Sequence, residues 1–307
     1  MSSEPGGLPR VWKDALLWTT GLPWRVGFGA LGRMAPRSPE HWSSPGGQAV
    51  LVVAPHPDDE VAGCAGTILL HRARGDRVTV AHATDGARSR ALGLPPGEMA
   101  RRRRGEAEAA AALLDVDLAW IGLPEGDWQD DELVGRLETL IERTSADLVY
   151  APSRVDFHPE HRRVASSLAR ALERRGELLP VRVYEVQVPL TGVLVNRVAD
   201  TSRLAIPVRR AVRAYATQLA SLRRTLRSRR YAALRYRVGR EAEVFWEISS
   251  LAYAALHPSH PETAPSGFRG IRQLPLTDPL AYLTGRDERR RLSLAAADPD
   301  LARAAAR

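Results

Sequence analysis

Cysteine is almost absent: Cys64 is the only one in 307 residues. No internal disulfide can form, and a thiolate zinc cluster is excluded as well. Lysine is nearly as scarce. Lys13 stands alone, so the net charge of +8 and the isoelectric point of about 10.3 rest on arginine. Abundant Ala and Arg point to a GC-rich genome more than to a function. No RNP-like, helix-turn-helix or zinc-finger pattern accompanies the charge, which argues against a specific nucleic-acid partner. A general attraction of Arg-rich helices to nucleic acid or anionic membrane would show as strongly salt-dependent binding. No apolar run reaches the ~20 residues that span a bilayer. The apolar piece Ala15 to Trp24 is interrupted by Gly21 and Pro23. Glu4 and the Trp-rich stretch after it fit a signal peptide poorly, so a cytoplasmic location is expected. There are no internal repeats. No G-x-G-x-x-G follows the first buried strand, and the carboxylate pair found there instead would repel a pyrophosphate.

That first strand is the most informative stretch. Val50 to Ala54 is a short β-branched run closed by Pro55, the pattern of a buried parallel strand. It stops at His56-Pro57-Asp58-Asp59-Glu60, where α/β proteins place their chemistry, outside the carboxyl ends of the strands. His56 and Asp59 are spaced so that an imidazole nitrogen and a carboxylate oxygen can reach one cation. Asp58 between them need not be a ligand and can hold a water. A second cluster of the same kind, Asp156-Phe157-His158-Pro159-Glu160-His161, follows the apolar run Leu148 to Ala151. Two histidines and one carboxylate leave coordination positions open, the layout of a catalytic metal site.

Elsewhere strands and helices alternate. Strands are expected over 48–55, 77–83, 117–123, 147–151 and 181–188, with helices over 61–74, 99–115, 131–144 and 161–175. Beyond Pro189 one or two basic helices over 206–235 and a strand over 243–249 are expected. This alternation predicts an α/β fold, a Rossmann-like, mostly parallel sheet with helices on both faces and the metal site at the C-terminal strand ends. Three regions follow. Residues 1–47 form a Trp- and Pro-rich arm, expected to pack on the domain rather than to anchor it to a membrane. Residues 48–256 form the catalytic domain, and 257–307 a tail or covering arm. Cys64, in a small-residue helix start, is read as packing, and Glu60 as an acid stabilised by the helix dipole.

The motifs HPDDE after one strand, Thr84-Asp85-Gly86 after the next and HPEH after a later one resemble the PIG-L/LmbE-like family of zinc-dependent de-N-acetylases. The match runs from about Val50 to about Val188. The resemblance implies removal of an acetyl group from an N-acetylglucosamine-type sugar, as in mycothiol metabolism. It implies that Asp85 borders the substrate or orients His56, with capping of its own turn as the alternative. It implies that Arg103, in an R-x-x-E with Glu106, reaches the substrate, Arg102 being the alternative. Glu125 falls where the family more often has Asp in a Pro-Asp-Gly turn. Tyr215-x-x-Gln218 is similar to an aromatic-x-x-Gln helix of the family.

The expected chemistry is therefore metal-assisted amide hydrolysis. His56, Asp59 and His161 hold one Zn2+, with Fe2+ or another divalent metal as alternatives, and zinc brings a coordinated water to a pKa of about 7. Asp58 takes the proton of the attacking water. His158, protonated, stabilises the oxyanion or donates to the leaving amine. Asp156 and Glu160 fix the imidazole tautomers from behind. The partner expected is a small N-acetylated sugar. The other class of reading is a non-catalytic protein that binds metal or sugar in the same pocket.

Overall fold

The computed structural model describes residues 26–27, 29–30, 39–42, 44–154, 156, 158–190 and 194–256. The tail expected over 257–307 lies outside them, as does most of the arm expected over 1–47. One sheet of eight strands runs through the described residues. In chain order its strands are β1 Glu40–Trp42, β2 Ala49–Ala54, β3 Arg77–Thr84, β4 Asp117–Leu123, β5 Leu148–Pro152, β6 Pro180–Tyr184, β7 Arg197–Asp200 and β8 Ala242–Ser249. Their order across the sheet is β1-β7-β8-β6-β5-β2-β3-β4. Neighbours from β6 to β4 are all parallel. β8 is antiparallel to both β6 and β7.

Every residue of β2 is buried, as a strand with parallel neighbours on both sides and helices on both faces must be. Leu51 and Val53 point into one core, with Leu133, Leu137 and Ile141 of helix α4 (Asp130–Thr144) and Val164 and Leu168 of α5 (Pro159–Arg175). Val50 and Val52 point into the other, with Ile68 of α2 (Ala65–Ala73), Ala107 and Ala110 of α3 (Pro96–Leu114), and Val208 of α6 (Ala205–Ala214). The period-2 alternation of a strand thus feeds two separate helix layers. Helix α7 (Leu219–Tyr236) adds Leu222 to the second layer. Helix α8 (Ser250–Leu256) adds Tyr253 to the first.

The expected α/β fold is the observed one, with local differences. The helix expected over 61–74 is two, α1 (Asp59–Gly63) and α2, broken at Cys64. Gly63 packs directly under the Tyr184 ring, where a Cβ would clash, and Cys64 is fully buried, as a packing residue should be. The strand expected to reach residue 188 ends at Tyr184. β1, β7 and α8 carry no pattern strong enough to read: β1 and β7 have three and four residues, and only their partners across the sheet hold them extended. In the described part of the arm, Trp42 is buried. It stacks on Phe245 at 6.1 Å and carries the Arg182 guanidinium 3.9 Å above its ring.

Candidate active site

β2 lies between β5 and β3, so the chain leaves β2 toward one side of the sheet and returns through β5 on the other. Such a switch in strand order opens a crevice at the carboxyl ends of the two central strands. The turn after β2 carries His56, Asp58 and Asp59, and the segment after β5 carries Asp156, His158 and His161.

Three atoms converge there. His56 Nδ1 is 3.3 Å from Asp59 Oδ2 and 3.1 Å from His161 Nε2, and His161 Nε2 is 3.2 Å from Asp59 Oδ2. An ion with donor distances of about 2.0–2.1 Å in tetrahedral array spaces its ligands about 3.3–3.4 Å apart, so the triangle fits a small divalent cation. Two neutral imidazoles and one carboxylate also suit one chemically. His158 is close by, its ring 4.7 Å from that of His56 and 4.9 Å from that of His161. A nitrogen from each of the three histidines lies within 4.8 Å of the others, a looser set than the one containing Asp59.

The electrostatics of the site agree with a place for positive charge. Burial opposes charge on Asp59, yet His161 and His56 hold its carboxyl well below the usual range. Burial likewise opposes charge on His161, and the Asp59 and Asp156 carboxylates outweigh it, holding the imidazole well above its ordinary value. Asp156 Oδ2 is 3.0 Å from His161 Nδ1 and so fixes the tautomer that turns Nε2 to the triangle. On the other histidine, Glu125 Oε1 stands 3.3 Å from His56 Nε2, but Nε2 forms no hydrogen bond. Asp156→Asn should therefore weaken metal binding about 10–100-fold. Competition with a chelator measures it, and Glu125→Gln should weaken it less.

Asp58 is held in an unusual way. Its φ is 129°, a region that side chains avoid and that costs on the order of 1–3 kcal/mol. Glu60 Oε2 accepts the Asp58 N–H at 3.2 Å, while Arg103 donates to Asp58 Oδ1 at 2.6 Å and to the Pro57 carbonyl. Asp58 Oδ2 has no hydrogen-bond partner among the described residues. Burial pushes the Asp58 carboxyl up to about 7, against the pull of Arg103. Arg103 itself is buried and packs on Gly86, whose φ of +65 leaves no room for a Cβ against the guanidinium.

Several residues make contacts that the sequence does not display. Glu60 lies in the first turn of α1, where an acid meets the helix dipole, but it is buried there. It is 2% exposed, accepts the Tyr215 hydroxyl at 2.6 Å and contacts His82 Nε2 at 2.9 Å. Glu160 Oε2 accepts the Trp128 indole N–H at 2.6 Å, and no hydrogen bond joins its carboxylate to an imidazole among the described residues. Asp85 caps its own turn, the alternative reading of it: Oδ1 accepts the Ala87 N–H at 3.0 Å, and also the Glu125 N–H at 3.0 Å, which ties two loops of the crevice together. His158 accepts the Glu160 N–H on Nδ1 at 3.3 Å, so its proton lies on Nε2. Burial, with His161 and His56 beside it, pushes its pKa down to about 2, so it is neutral rather than protonated.

Two residues escaped sequence reasoning altogether. Glu243 on β8 accepts the Gly66 N–H at 2.8 Å, the Thr67 N–H at 2.7 Å and the Thr67 hydroxyl at 2.6 Å, which caps α2. Arg229 on α7 donates to the Val61 carbonyl at 2.7 Å at the end of α1 and pairs with Glu243 at 2.7 Å. One buried ion pair therefore satisfies both sides of the helix break behind Asp59. No local pattern marks either residue, because each acts across more than 160 positions of chain.

Residues 51–172 match the family model described as PIG-L, GlcNAc-PI de-N-acetylase. Over that segment the chain is similar to the PIG-L family. A probable N-acetyl-alpha-D-glucosaminyl L-malate deacetylase 2 of Bacillus subtilis is 35% identical over 136 residues, covering 41% of this chain and 61% of that protein. The chain spans about three fifths of the length of the curated relatives it matches. The N,N′-diacetylchitobiose deacetylase of Pyrococcus horikoshii shares the fold, with a TM-score of 0.59 and 23% identity over 67% of this chain and 86% of that one. The conserved protein TT1542 of Thermus thermophilus aligns with a TM-score of 0.56 and 25% identity over 64% and 93%. The family match begins inside β2 and ends inside α5, so it encloses both halves of the triangle.

Proposed function

We propose that this protein is a metal-dependent hydrolase that removes the acetyl group from an N-acetylated amino sugar of the N-acetylglucosamine type, or from a conjugate of one. The observation that carries the reading is the His56–Asp59–His161 triangle with the Asp58 carboxylate beside it. The acetylated sugars named in the relatives' descriptions supply the substrate class.

His56, Asp59 and His161 would hold the cation, zinc being the first choice. A divalent ion there supplies Lewis acidity toward an amide carbonyl and makes a water easier to deprotonate. Asp58 does the proton work. Its Oδ1 is fixed by Arg103, and Oδ2 takes the proton as the water oxygen bonds to the carbonyl carbon. His158, neutral and protonated on Nε2, donates to the oxygen on which negative charge develops. When the C–N bond breaks, Asp58 returns its proton to the leaving amine. This gives His158 the oxyanion role without an imidazolium.

The assignment has a pH signature. Asp58 must be ionised to act as base, and burial lifts its pKa to about 7 before any cation is considered. A cation beside it lowers that value. Deacetylation by the metal-loaded protein should accordingly fall, by one proton, along an acid limb centred below about 7, and a pH–rate profile of kcat/KM reads this limb directly.

The deciding experiment uses metal-stripped protein reloaded with zinc or iron(II), presented with N-acetylglucosamine, N,N′-diacetylchitobiose and an N-acetylglucosaminyl malate. Free amine and acetate should appear one for one in the reloaded protein only. Calorimetric binding of these sugars without acetate release would replace the hydrolase with a non-catalytic metal- and sugar-binding protein.

A further inference from the structure

The charge of this chain is distributed unevenly. From Thr201 to Arg240 there are twelve arginines and no Asp or Glu, although the chain has 36 acids in all. A compositional bias toward arginine does not remove acids from 40 consecutive residues. This stretch is the two-helix excursion formed by α6 and α7.

The arginines are also ordered in space. Arg203, Ile206, Arg210 and Arg213 follow one another at steps of three and four, and all four are exposed. Arg223, Arg227 and Arg230 do the same along α7, exposed except for the half-buried Arg227. Steps of three and four place residues on one face of a helix. Among the described residues, only Arg230 in these two rows has a carboxylate within 4.0 Å, that of Glu241 at 3.8 Å. Ile206, inside the first row, is 64% exposed. The end of α6 reaches the crevice through the bond from Tyr215 to Glu60. Three residues on, Gln218 donates to Ser89 at 2.9 Å, in the loop whose Leu92 is 52% exposed.

We propose that the arginine-lined outer faces of α6 and α7 dock on an anionic phospholipid surface, with Ile206 entering the headgroup region. A small anion is too short for the surface, since an 18-residue helix is about 27 Å long. Single-stranded nucleic acid is recognised by stacking on aromatic side chains. None of the aromatic residues described here is exposed. Duplex nucleic acid has no use for an exposed isoleucine in a row of arginines. A bilayer interface accommodates both, taking apolar side chains at the acyl boundary and arginines at the phosphates. The proposal does not depend on the reaction, because none of these residues belongs to the metal triangle or to the groups around Asp58.

The test is co-sedimentation of the full chain with large unilamellar vesicles, either phosphatidylcholine alone or phosphatidylcholine with 30% phosphatidylglycerol. Binding to the phosphatidylglycerol vesicles at 50 mM NaCl, absent on pure phosphatidylcholine and lost at 500 mM, is the expected result. The combined variant Arg210→Glu, Arg213→Glu, Arg223→Glu, Arg227→Glu should bind at least about a hundredfold more weakly, as each arginine near an anionic surface is worth roughly fivefold. Its thermal midpoint should hardly move. Ile206→Ser should cost about tenfold on vesicles, by loss of apolar burial, while leaving retention on a heparin column unchanged. The proposal is overturned if the wild type ignores phosphatidylglycerol vesicles at 50 mM NaCl. It is equally overturned if the four-arginine variant binds them as well as the wild type, or if a 20-base-pair DNA duplex displaces the vesicles at an equal concentration of phosphate.

Discussion

Asp58→Asn should keep the metal and lose the reaction. The amide still accepts from Arg103, and the turn is held independently by Glu60 on the Asp58 N–H. What disappears is the basic oxygen, Oδ2, that receives the proton. General-base groups contribute about 10²–10⁴-fold, so kcat should fall within that span while metal content stays at one per chain. Asp59→Asn is the contrasting variant. It removes the charge on the oxygen that faces both His56 Nδ1 and His161 Nε2, and should lose metal and turnover together. Mass-spectrometric metal analysis beside an acetate assay separates the two. Full turnover in Asp58→Asn would remove Asp58 from the reaction, and a metal-free Asp58→Asn would make it a ligand.

The second large effect lies behind the site, at the helix break. Arg229→Met should leave the Glu243 carboxylate buried without its cation. Breaking a buried pair in this way costs about 3–5 kcal/mol. In a protein of this size that corresponds to roughly 6–20 °C in thermal midpoint. Glu243→Gln should cost a similar amount, because Gly66 and Thr67 lose a charged acceptor and Arg229 loses its partner. With both replaced, Arg229→Met and Glu243→Gln together should destabilise by less than the sum, since no unpaired charge then remains buried. A scanning calorimetry series on the three variants tests this. Additive losses would mean that the two side chains act separately.

The parallel half of the sheet could be read because its signals are local. β2 announces itself as six consecutive apolar residues, and α4 as a stripe of Leu133, Leu137, Leu140 and Ile141. His56, Asp59 and His161 could be read for a different reason: a strand end followed by paired histidines and acids is rare, and two such ends had to meet at the switch in strand order. What could not be read depends on distant partners. Glu60 looks like an ordinary first-turn acid until Tyr215, 155 residues on, is seen to donate to it. Glu160, next to His161 in sequence, turns instead to Trp128 from the loop between β4 and α4. His158 lies at the expected place, but its protonation depends on burial and on two neighbouring imidazoles that a sequence does not display. β7 is four residues long and gains its extended form from β8.

β8 also sets a timetable. During synthesis β2 to β6 can pair as they emerge, in chain order. The open edge of β6 must then wait for β8, which begins 58 residues after β6 ends. At roughly 5–20 residues per second, that wait lasts about 3–12 s, with the bare edge of β6 offered to any other nascent strand. β1, made before everything else in the sheet, is the last strand to find its place, because its partner β7 is itself held by β8.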